Sequence, residues 1–339
     1  MGGSNIDYDI TFKDKKTNNI VYKTKLKRNN WAKATKKYFI DWQIEMKSKY
    51  ETKIFDFTLE HKKILISIDS KSLGDNIAWM PYIEEFRKKH NCIVVASTFW
   101  NELFKNKYKE IEFVSPGKVV HNIYAKYTLG WFYNPDMEPI LPNTIPLQMA
   151  ATNILGLEHK EIRPNIYLKE APRPLKEKYI TIATDSTAAL KFWQYPNGWN
   201  ELTEYLNKLN YTVVNVSKEG NNVKNALTPT DYNIQTVMNY IHHSEFFIGL
   251  ASGLSWLSWA LNKQTTVIGN FSDINHEFKS NCIRIYKHNV CNSCWSNPNF
   301  KFDKGDWNWC PIHKNTPRQH ECQKSITTQD VINQINHLL

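Results

Sequence analysis

The chain has 339 residues, of which 41% are hydrophobic and 22% charged, and it carries a formal net charge of +10. This length and composition indicate two ordinary domains with buried cores and exclude a disordered chain. The longest uncharged apolar run, 246–261, is shorter than the roughly 20 residues of a membrane span, and no basic-then-apolar leader opens the sequence. We therefore expect a cytoplasmic protein without a membrane span.

Most of the positive charge lies near the N-terminus, where residues 1–63 hold 15 Lys and Arg against 8 Asp and Glu. One interpretation is a basic surface for an acidic partner such as nucleic acid. However, the lysines alternate along predicted strands and do not cluster with aromatic residues. We therefore expect a solvated sheet face and no nucleic-acid partner.

The first predicted unit is a small antiparallel β domain, residues 1–61. Apolar residues recur with a period of two at 20–26, 38–44 and 54–59, and the residues at 16–19 are typical of a turn.

The pattern then changes to that of a parallel sheet covered on both faces. An apolar strand at 63–68 is followed by a helical stretch at 77–90 and by strands at 92–96 and 111–114. This order predicts a first Rossmann-like domain, residues 62–170. The proline-rich residues 171–175 predict an inter-domain linker.

A second series of alternating strands and helices predicts another Rossmann-like domain, residues 171–287. Strands are expected at 179–183, 212–216, 246–250 and 265–268, with helices at 199–209, 234–243 and 254–261. A C-terminal helix is expected within 325–339. The predicted class is therefore α/β, with two Rossmann-like halves whose cleft binds ligands at the carboxyl ends of the strands.

The first candidate site follows the strand at 63–68. Gly74 permits a tight turn and a close approach of ligand. Asp75 then lies at a helix start inside the cleft, where a carboxylate could accept a proton from an attacking hydroxyl. An ordinary N-cap aspartate explains the residue equally well.

The second candidate is the turn after the strand at 246–250. Ser252 and Gly253 precede a helix whose first residues are Leu254 and Ser255, and the free N–H groups at its start suit a diphosphate. The alternative is plain helix capping by Ser252. The near-absence of charge after an apolar strand favours the phosphate.

The third candidate follows the strand at 179–183, where Thr184, Ser186 and Thr187 precede Lys191. The hydroxyls could bind a ligand, and the lysine could balance phosphate charge. Taken alone, the sequence favours a solvated lysine.

The fourth candidate is the most specific. Four of the six cysteines, Cys291, Cys294, Cys310 and Cys322, fall within 32 residues. A redox pair or two disulfides are conceivable, but a cytoplasmic chain favours a tetrahedral four-cysteine metal site in the segment 288–324. The spacing leaves zinc and iron open. His313 and His320 are spare if all four cysteines bind, and Cys92 and Cys282 are read as buried thiols.

These motifs resemble those of the bacterial autotransporter O-heptosyltransferases. The matching stretches are Ser-Leu-Gly-Asp-Asn-Ile-Ala-Trp at 72–79, Phe-Ile-Gly-Leu-Ala-Ser-Gly-Leu-Ser-Trp-Leu at 247–257 and Cys-Asn-Ser-Cys-Trp at 291–295. Trp-Cys-Pro-Ile-His-Lys-Asn-Thr at 309–316 continues the likeness to Arg318, Gln319, Glu321 and Cys322. The resemblance covers most of the chain.

The resemblance implies a glycosyltransferase with two Rossmann-like domains in the GT-B arrangement, an N-terminal β domain and an iron-binding finger of four cysteines. It implies ADP-heptose as donor, on the side of the second Rossmann-like domain, and serine of an autotransporter adhesin as acceptor, on the side of the first. It assigns the catalytic carboxylate to Asp75, a donor phosphate ligand to Lys191 and the diphosphate seat to Ser252 and Gly253.

From the candidate sites and this resemblance we expect inverting transfer in which protein groups hold the leaving ADP, and a homo-oligomer. Two alternatives remain. One is transfer from another nucleotide sugar or to a glycan, and the other is a non-catalytic nucleotide-sugar-binding scaffold.

Overall fold

The structure is a computed structural model that describes residues 7–34, 36, 38–133, 140–219, 222–300 and 308–339. Parts of the predicted N-terminal domain and of the cysteine segment, residues 1–6 and 301–307, lie outside the described residues. The described residues form one antiparallel and two parallel sheets. None of the described helices has both the length and the apolar character that crossing a membrane requires.

The N-terminal sheet is antiparallel, as predicted, with the strand order β2-β1-β3-β4. Its strands are β1 (Asp7–Asp14), β2 (Ile20–Lys27), β3 (Trp42–Lys47) and β4 (Thr52–Asp56). The prediction that a strand begins at residue 38 is wrong, because β3 begins at Trp42. Phe39 instead packs edge-on against Phe86 of the next domain, with ring centroids 5.9 Å apart, and its N–H donates to the carbonyl of Ile154.

The first parallel sheet has the order β7-β6-β5-β8. Its strands are β5 (Lys63–Ile68), β6 (Ile93–Ser97), β7 (Ile111–Val114) and β8 (Ala125–Leu129). The helices of this half are α1 (Leu73–His90), α2 (Asn101–Phe104) and α3 (Leu147–Leu155). Because α1 begins at Leu73, four residues before the predicted start, Asp75 lies in its first turn.

The second parallel sheet has the order β10-β9-β11-β12-β13. Its strands are β9 (Tyr179–Ile182), β10 (Thr212–Asn215), β11 (Phe247–Leu250), β12 (Thr265–Ile268) and β13 (Cys282–Ile285). The helices are α4 (Gly198–Lys208), α5 (Ile234–His243), α6 (Gly253–Ala260), α7 (Glu321–Lys324) and α8 (Thr328–Ile335). Short 3-10 turns occur at Pro142–Thr144, Ala189–Lys191 and Asn336–Leu338. The predicted linker lies between α3 and β9, a stretch without helix or strand.

The two halves meet where α1 and α6 begin, and glycine allows their first turns to touch. A Cβ on Gly253 would lie 3.0 Å from Cβ of Leu73 and 3.2 Å from the backbone nitrogen of Gly74. A Cβ on Gly74 would lie 3.2 Å from Cδ1 of Trp256. Two helix N-termini, each carrying a partial positive charge, therefore open into the same cleft.

Candidate active site

Two cavities lie side by side in the cleft between the parallel sheets. One has a volume of about 470 Å³ and is lined by Asp75, Trp131 and the loop 271–277, among others. The other, about 380 Å³, is lined by Asp185, Ser186 and residues 217–219 on the side of β9 and β10. The residues lining both are Ser72, Thr187, Lys191, Ser252 and Gly253. The predicted residues on α1, before α6 and after β9 therefore lie together.

A larger cavity, about 630 Å³, lies elsewhere, between the N-terminal sheet and the C-terminal end of α1. Its walls include Phe39, Leu59 and His90 but none of the predicted site residues. Size therefore does not identify the site here; the convergence of charged groups and helix N-termini does.

The carboxylate of Asp75 is buried, with 7% of the residue exposed, and two side chains hold it. The hydroxyl of Ser70 donates to its Oδ2 at 2.6 Å, and the indole N–H of Trp131 donates to the same oxygen at 2.9 Å. The amide of Asn76 donates to the carbonyls of Ser70 and Ser72, which fixes the turn before the helix. Since both donors bind Oδ2, Oδ1 is the oxygen left for a substrate hydroxyl.

Opposing influences act on the basicity of this carboxylate. Burial raises the pKa of Asp75, whereas the hydrogen bonds from Ser70 and Trp131 and the positive charges of Lys191 and His276 lower it. Burial is the largest of these, so the carboxylate is a stronger base than an exposed aspartate. A raised pKa suits the acceptance of a proton from an alcohol.

Lys191 ends the short 3-10 turn at Ala189–Lys191 and is half-buried in the cleft. The preference for a solvated lysine is therefore wrong: the turn after β9 directs the chain back into the molecule. Burial lowers the pKa of Lys191, and the negative charges of Glu277 and Asp75 raise it. Because Lys191 lines both cavities, its ammonium group is well placed to meet an anion there.

The turn before α6 has the geometry of an anion site. Ser252 is the N-cap residue, but its side chain makes no capping hydrogen bond, and among the described residues its buried hydroxyl has no partner. The alternative of plain capping by Ser252 is therefore not what the structure shows. The first N–H groups of α6 open towards the shared part of the two cavities.

Of three further predicted site residues, one lines a cavity and two do not. Leu254 lines the smaller cavity, beside Ser186. Ser255 is fully buried and its hydroxyl donates to the carbonyl of Leu250, and Thr184 is buried with its hydroxyl donating to Asp185. Ser255 and Thr184 line neither cavity, because each side chain is turned into its own half of the molecule.

The loop after β12 contributes groups that sequence reasoning missed. Glu277 and Arg284 form a buried ion pair at 3.2 Å, and the hydroxyl of Ser272 donates to Glu277. Nδ1 of His276 lies 2.9 Å from the carbonyl of Ile145; a carbonyl only accepts, so this nitrogen carries the proton. Burial lowers the pKa of His276. No motif in the sequence marks this loop.

Among the described residues, the four predicted metal ligands are close enough to interact electrostatically, but they are not a group whose ligand atoms all lie within 4.8 Å of one another. Burial and the charges of the other three thiols raise the pKa of Cys294. The backbone N–H of His313 donates to Sγ of Cys310 at 3.2 Å. Cys291, His313 and Glu321 also place one ligand atom each within 4.8 Å of one another. His313, predicted to be spare, therefore lies directly beside the cysteines.

Comparison with known proteins identifies close relatives. The autotransporter heptosyltransferase Aah of Escherichia coli is 35% identical over 98% of this chain and 89% of Aah. The autotransporter heptosyltransferase TibC of Escherichia coli O78:H11 is 34% identical over 91% of this chain and 80% of TibC. No family model matches the chain.

Solved structures agree with this result. The dodecameric, iron-containing TibC in complex with ADP-D-β-D-heptose superposes with a TM-score of 0.90 at 30% identity, over 98% of this chain and 91% of that chain. The lipopolysaccharide heptosyltransferase II of E. coli shares only the fold, with a TM-score of 0.53 and 12% identity over 81% of this chain and 98% of that chain. The predicted α/β class with parallel sheets of the GT-B type is confirmed.

Proposed function

Because the chain belongs to the autotransporter heptosyltransferases and is a heptosyl-transferring enzyme, we propose that it moves heptose from ADP-heptose to serine hydroxyls of an autotransporter adhesin. The observation that carries this proposal is that Asp75 and the Ser252–Gly253 turn line one cavity. We assign the reaction to the cytoplasm, a reducing compartment in which the six free cysteines persist.

The two cavities suggest how a nucleotide sugar lies in the cleft. The diphosphate belongs where they join, at Lys191, Thr187 and the turn before α6. The adenosine then extends into the cavity beside Asp185 and Ser217, and the heptose into the cavity that contains Asp75. The anomeric carbon of the sugar is thereby presented to a hydroxyl on the side of the first domain.

In the proposed reaction the oxygen of the serine hydroxyl bonds to the anomeric carbon. At the same time Oδ1 of Asp75 takes the proton of that hydroxyl. The bond from that carbon to the β-phosphate oxygen breaks, and its electron pair leaves with ADP. The displacement inverts the configuration at the carbon. The N–H groups of α6 and the ammonium of Lys191 stabilise the negative charge that grows on the leaving group.

We further propose that Cys291, Cys294, Cys310 and Cys322 hold one iron ion, as expected from the iron-containing TibC. The donor set fits such an ion, since three of the four cysteines are buried and the N–H of His313 points at the sulfur of Cys310. Four thiolates also fit zinc, the alternative. Such an ion would cross-link the segment.

TibC is dodecameric in its crystal structure, and we propose that this chain also forms a homo-oligomer. The described part of the N-terminal sheet exposes several large apolar residues, among them Ile54 and Phe55 on the edge strand β4. An exposed apolar edge strand is the kind of surface that pairs with another chain.

Replacing Asp75 tests the proposed chemistry. Asp75→Asn keeps the size of the side chain but removes the base, so transfer to a co-purified autotransporter passenger domain should fall at least about 100-fold. Intact-mass spectrometry of the passenger measures the transfer, and calorimetry should show ADP-heptose binding retained. Asp69→Asn, an exposed aspartate before the same turn, is the matched control. Undiminished transfer by Asp75→Asn would remove this residue from its role.

A further inference from the structure

Trp131 lies where the two halves of the molecule meet. It follows β8, and its indole N–H donates to Oδ2 of Asp75 at 2.9 Å. Its ring centroid lies 5.9 Å from that of Trp79 in α1 and 6.2 Å from the nearly parallel ring of His276. The ring of Trp295 meets it edge-on at 5.5 Å. Aromatic groups from both halves therefore pack against this indole, although 37% of Trp131 remains exposed.

Trp295 is itself fixed by its backbone. It comes directly after Cys294, its N–H donates to the carbonyl of Phe271 at 3.0 Å, and its carbonyl accepts from the amide of Asn143. Two residues earlier, the N–H of Ser293 donates to the carbonyl of Asn270 at 2.7 Å. The first pair of cysteines thus brings this ring to the cleft on a short, hydrogen-bonded stretch of chain.

We propose that Trp131 is a positioning residue for Asp75 and that Trp295 holds Trp131 in place, so that the cysteine segment shapes the transfer site through two tryptophan rings. This inference rests on the proposed function, in which Asp75 is the base. It adds a route, Cys294 to Trp295 to Trp131 to Asp75, from the segment to the reacting oxygen.

The positioning role of Trp131 follows from the hydrogen-bonding chemistry of its indole group. An indole N–H donates and cannot accept, so its bond to Oδ2 favours the carboxylate over the protonated acid. It also fixes the rotation of the carboxyl group, which leaves Oδ1 aimed into the cavity. The other charged or titratable groups that act on Asp75 are Lys191 and His276, with Glu277 behind Lys191. Neither Lys191 nor His276 donates a hydrogen bond to Oδ2.

The decisive variant is Trp131→Phe, which retains an aromatic ring and removes the donor. We expect kcat to fall about tenfold, since the carboxyl group is no longer held with Oδ1 towards the attacking hydroxyl, while the Kd for ADP-heptose stays the same. Loss of the donor also raises the pKa of Asp75. The acidic limb of the pH–rate profile should therefore move to higher pH.

Trp295 is tested in the same way. Trp295→Leu removes the aromatic ring that meets Trp131, and it should move the acidic limb of the pH–rate profile to higher pH. Trp295→Phe keeps an aromatic ring, and its acidic limb should lie where that of the unaltered protein lies. Trp199→Phe is the control: its ring packs on Trp193 in the second domain, away from the cleft, and its profile should not change. Metal content per chain should be equal in all of these variants.

The outcomes separate this inference from the proposed function. Full transfer by Asp75→Asn overturns the base and the inference together. An inactive Asp75→Asn combined with an unmoved acidic limb in Trp131→Phe overturns the inference alone. An unmoved limb in Trp295→Leu, or loss of metal from it, overturns the role of Trp295, because the ring then serves the cysteine segment and not Asp75.

Discussion

At the scale of single residues, Lys191 shows how function and stability oppose each other in this cleft. Burial lowers the pKa of its ammonium group, so the unfolded chain binds a proton more readily than the folded one. Stability linked to this group therefore rises as the pH rises from its folded pKa towards its unfolded pKa, and the charged form of the lysine opposes folding. A diphosphate in the cleft would compensate the charge.

We therefore expect Lys191→Met to separate the two effects. The variant should bind ADP-heptose at least about tenfold more weakly, since a charge-assisted contact is lost, yet unfold at the same or a higher temperature. Calorimetry measures the first quantity and thermal unfolding without ligand the second. Lys176→Met, at an exposed lysine, should change neither. A clear fall in the unfolding temperature of Lys191→Met would contradict this view of the site.

Which residues of the site could be predicted depends on where they lie in the chain. Asp75 lies in the first turn of a helix that follows a strand, and Ser252 lies between a strand and a helix. The chain order of strand, turn and helix is readable from hydrophobic periodicity. Trp131, His276 and Glu277 lie in irregular loops, where no period indicates which side chain turns inward. Their part in the site depends on contacts between residues far apart in sequence, which a single sequence does not reveal.

At the scale of elements, the meeting of α1 and α6 sets the geometry of the cleft. Gly253 approaches the backbone of Gly74 and the side chain of Leu73 so closely that a methyl group on Gly253 would have to displace both. A methyl group on Gly74 would meet chiefly the edge of the Trp256 ring. The backbone of a helix yields less readily than a side chain, so the two substitutions are not equivalent.

Gly253→Ala should therefore be the more damaging of the pair. We expect it to lower the free energy of unfolding by about 1–3 kcal/mol and to weaken ADP-heptose binding, because it pushes the N-terminus of α6 away from α1. Gly74→Ala should lower the free energy of unfolding by a smaller amount. Chemical denaturation measures the free energy of unfolding of both variants, and calorimetry measures their binding of ADP-heptose. If the free energy of unfolding fell equally in both variants, or further in Gly74→Ala, the contact between Gly253 and the start of α1 would not be tight.

Predictions at this scale succeeded where the pattern is strong and failed where an element is short or irregular. The helix predicted at 234–243 and the strand at 265–268 have the predicted bounds. The sequence analysis missed β8, β13 and α3. The two strands have only five and four residues and contain a lysine and an arginine. The sequence pattern predicted a strand from Tyr38 onwards, but Tyr38 and Phe39 pack against the core of the first Rossmann-like domain and not within a sheet.

At the scale of the whole molecule, the cysteine segment touches both ends of the cleft. At one end Trp295 reaches Trp131 and, through it, Asp75. At the other end Gln323, directly after Cys322, donates to the carbonyl of Leu190 at 2.6 Å and so supports the turn that carries Lys191. His320 also contacts the side chain of Gln194 at 2.8 Å. A cross-link among the cysteines would therefore hold the proposed base, Asp75, and the proposed phosphate ligand, Lys191, in place relative to each other.

Loss of one metal ligand should consequently affect the whole molecule and not only the segment. We expect Cys322→Ser to contain less iron, to unfold several degrees lower and to bind ADP-heptose more weakly, since α7 would no longer be held beside Lys191. Elemental analysis, thermal unfolding and calorimetry measure the three effects. Cys282→Ser, in β13 outside the segment, should keep its iron.

Chelation of the unaltered protein should reproduce the losses seen in Cys322→Ser, and added Fe²⁺ should reverse them in the unaltered protein alone. This reversal distinguishes a cross-link from a packing defect, because a serine hydroxyl cannot replace the thiolate as a strong ligand. If the iron-free protein instead bound ADP-heptose with unchanged affinity, the support that Gln323 gives to Lys191 would be independent of the ion. Hydrogen bonds such as that between Asn270 and Gln323 would then hold α7 in place by themselves.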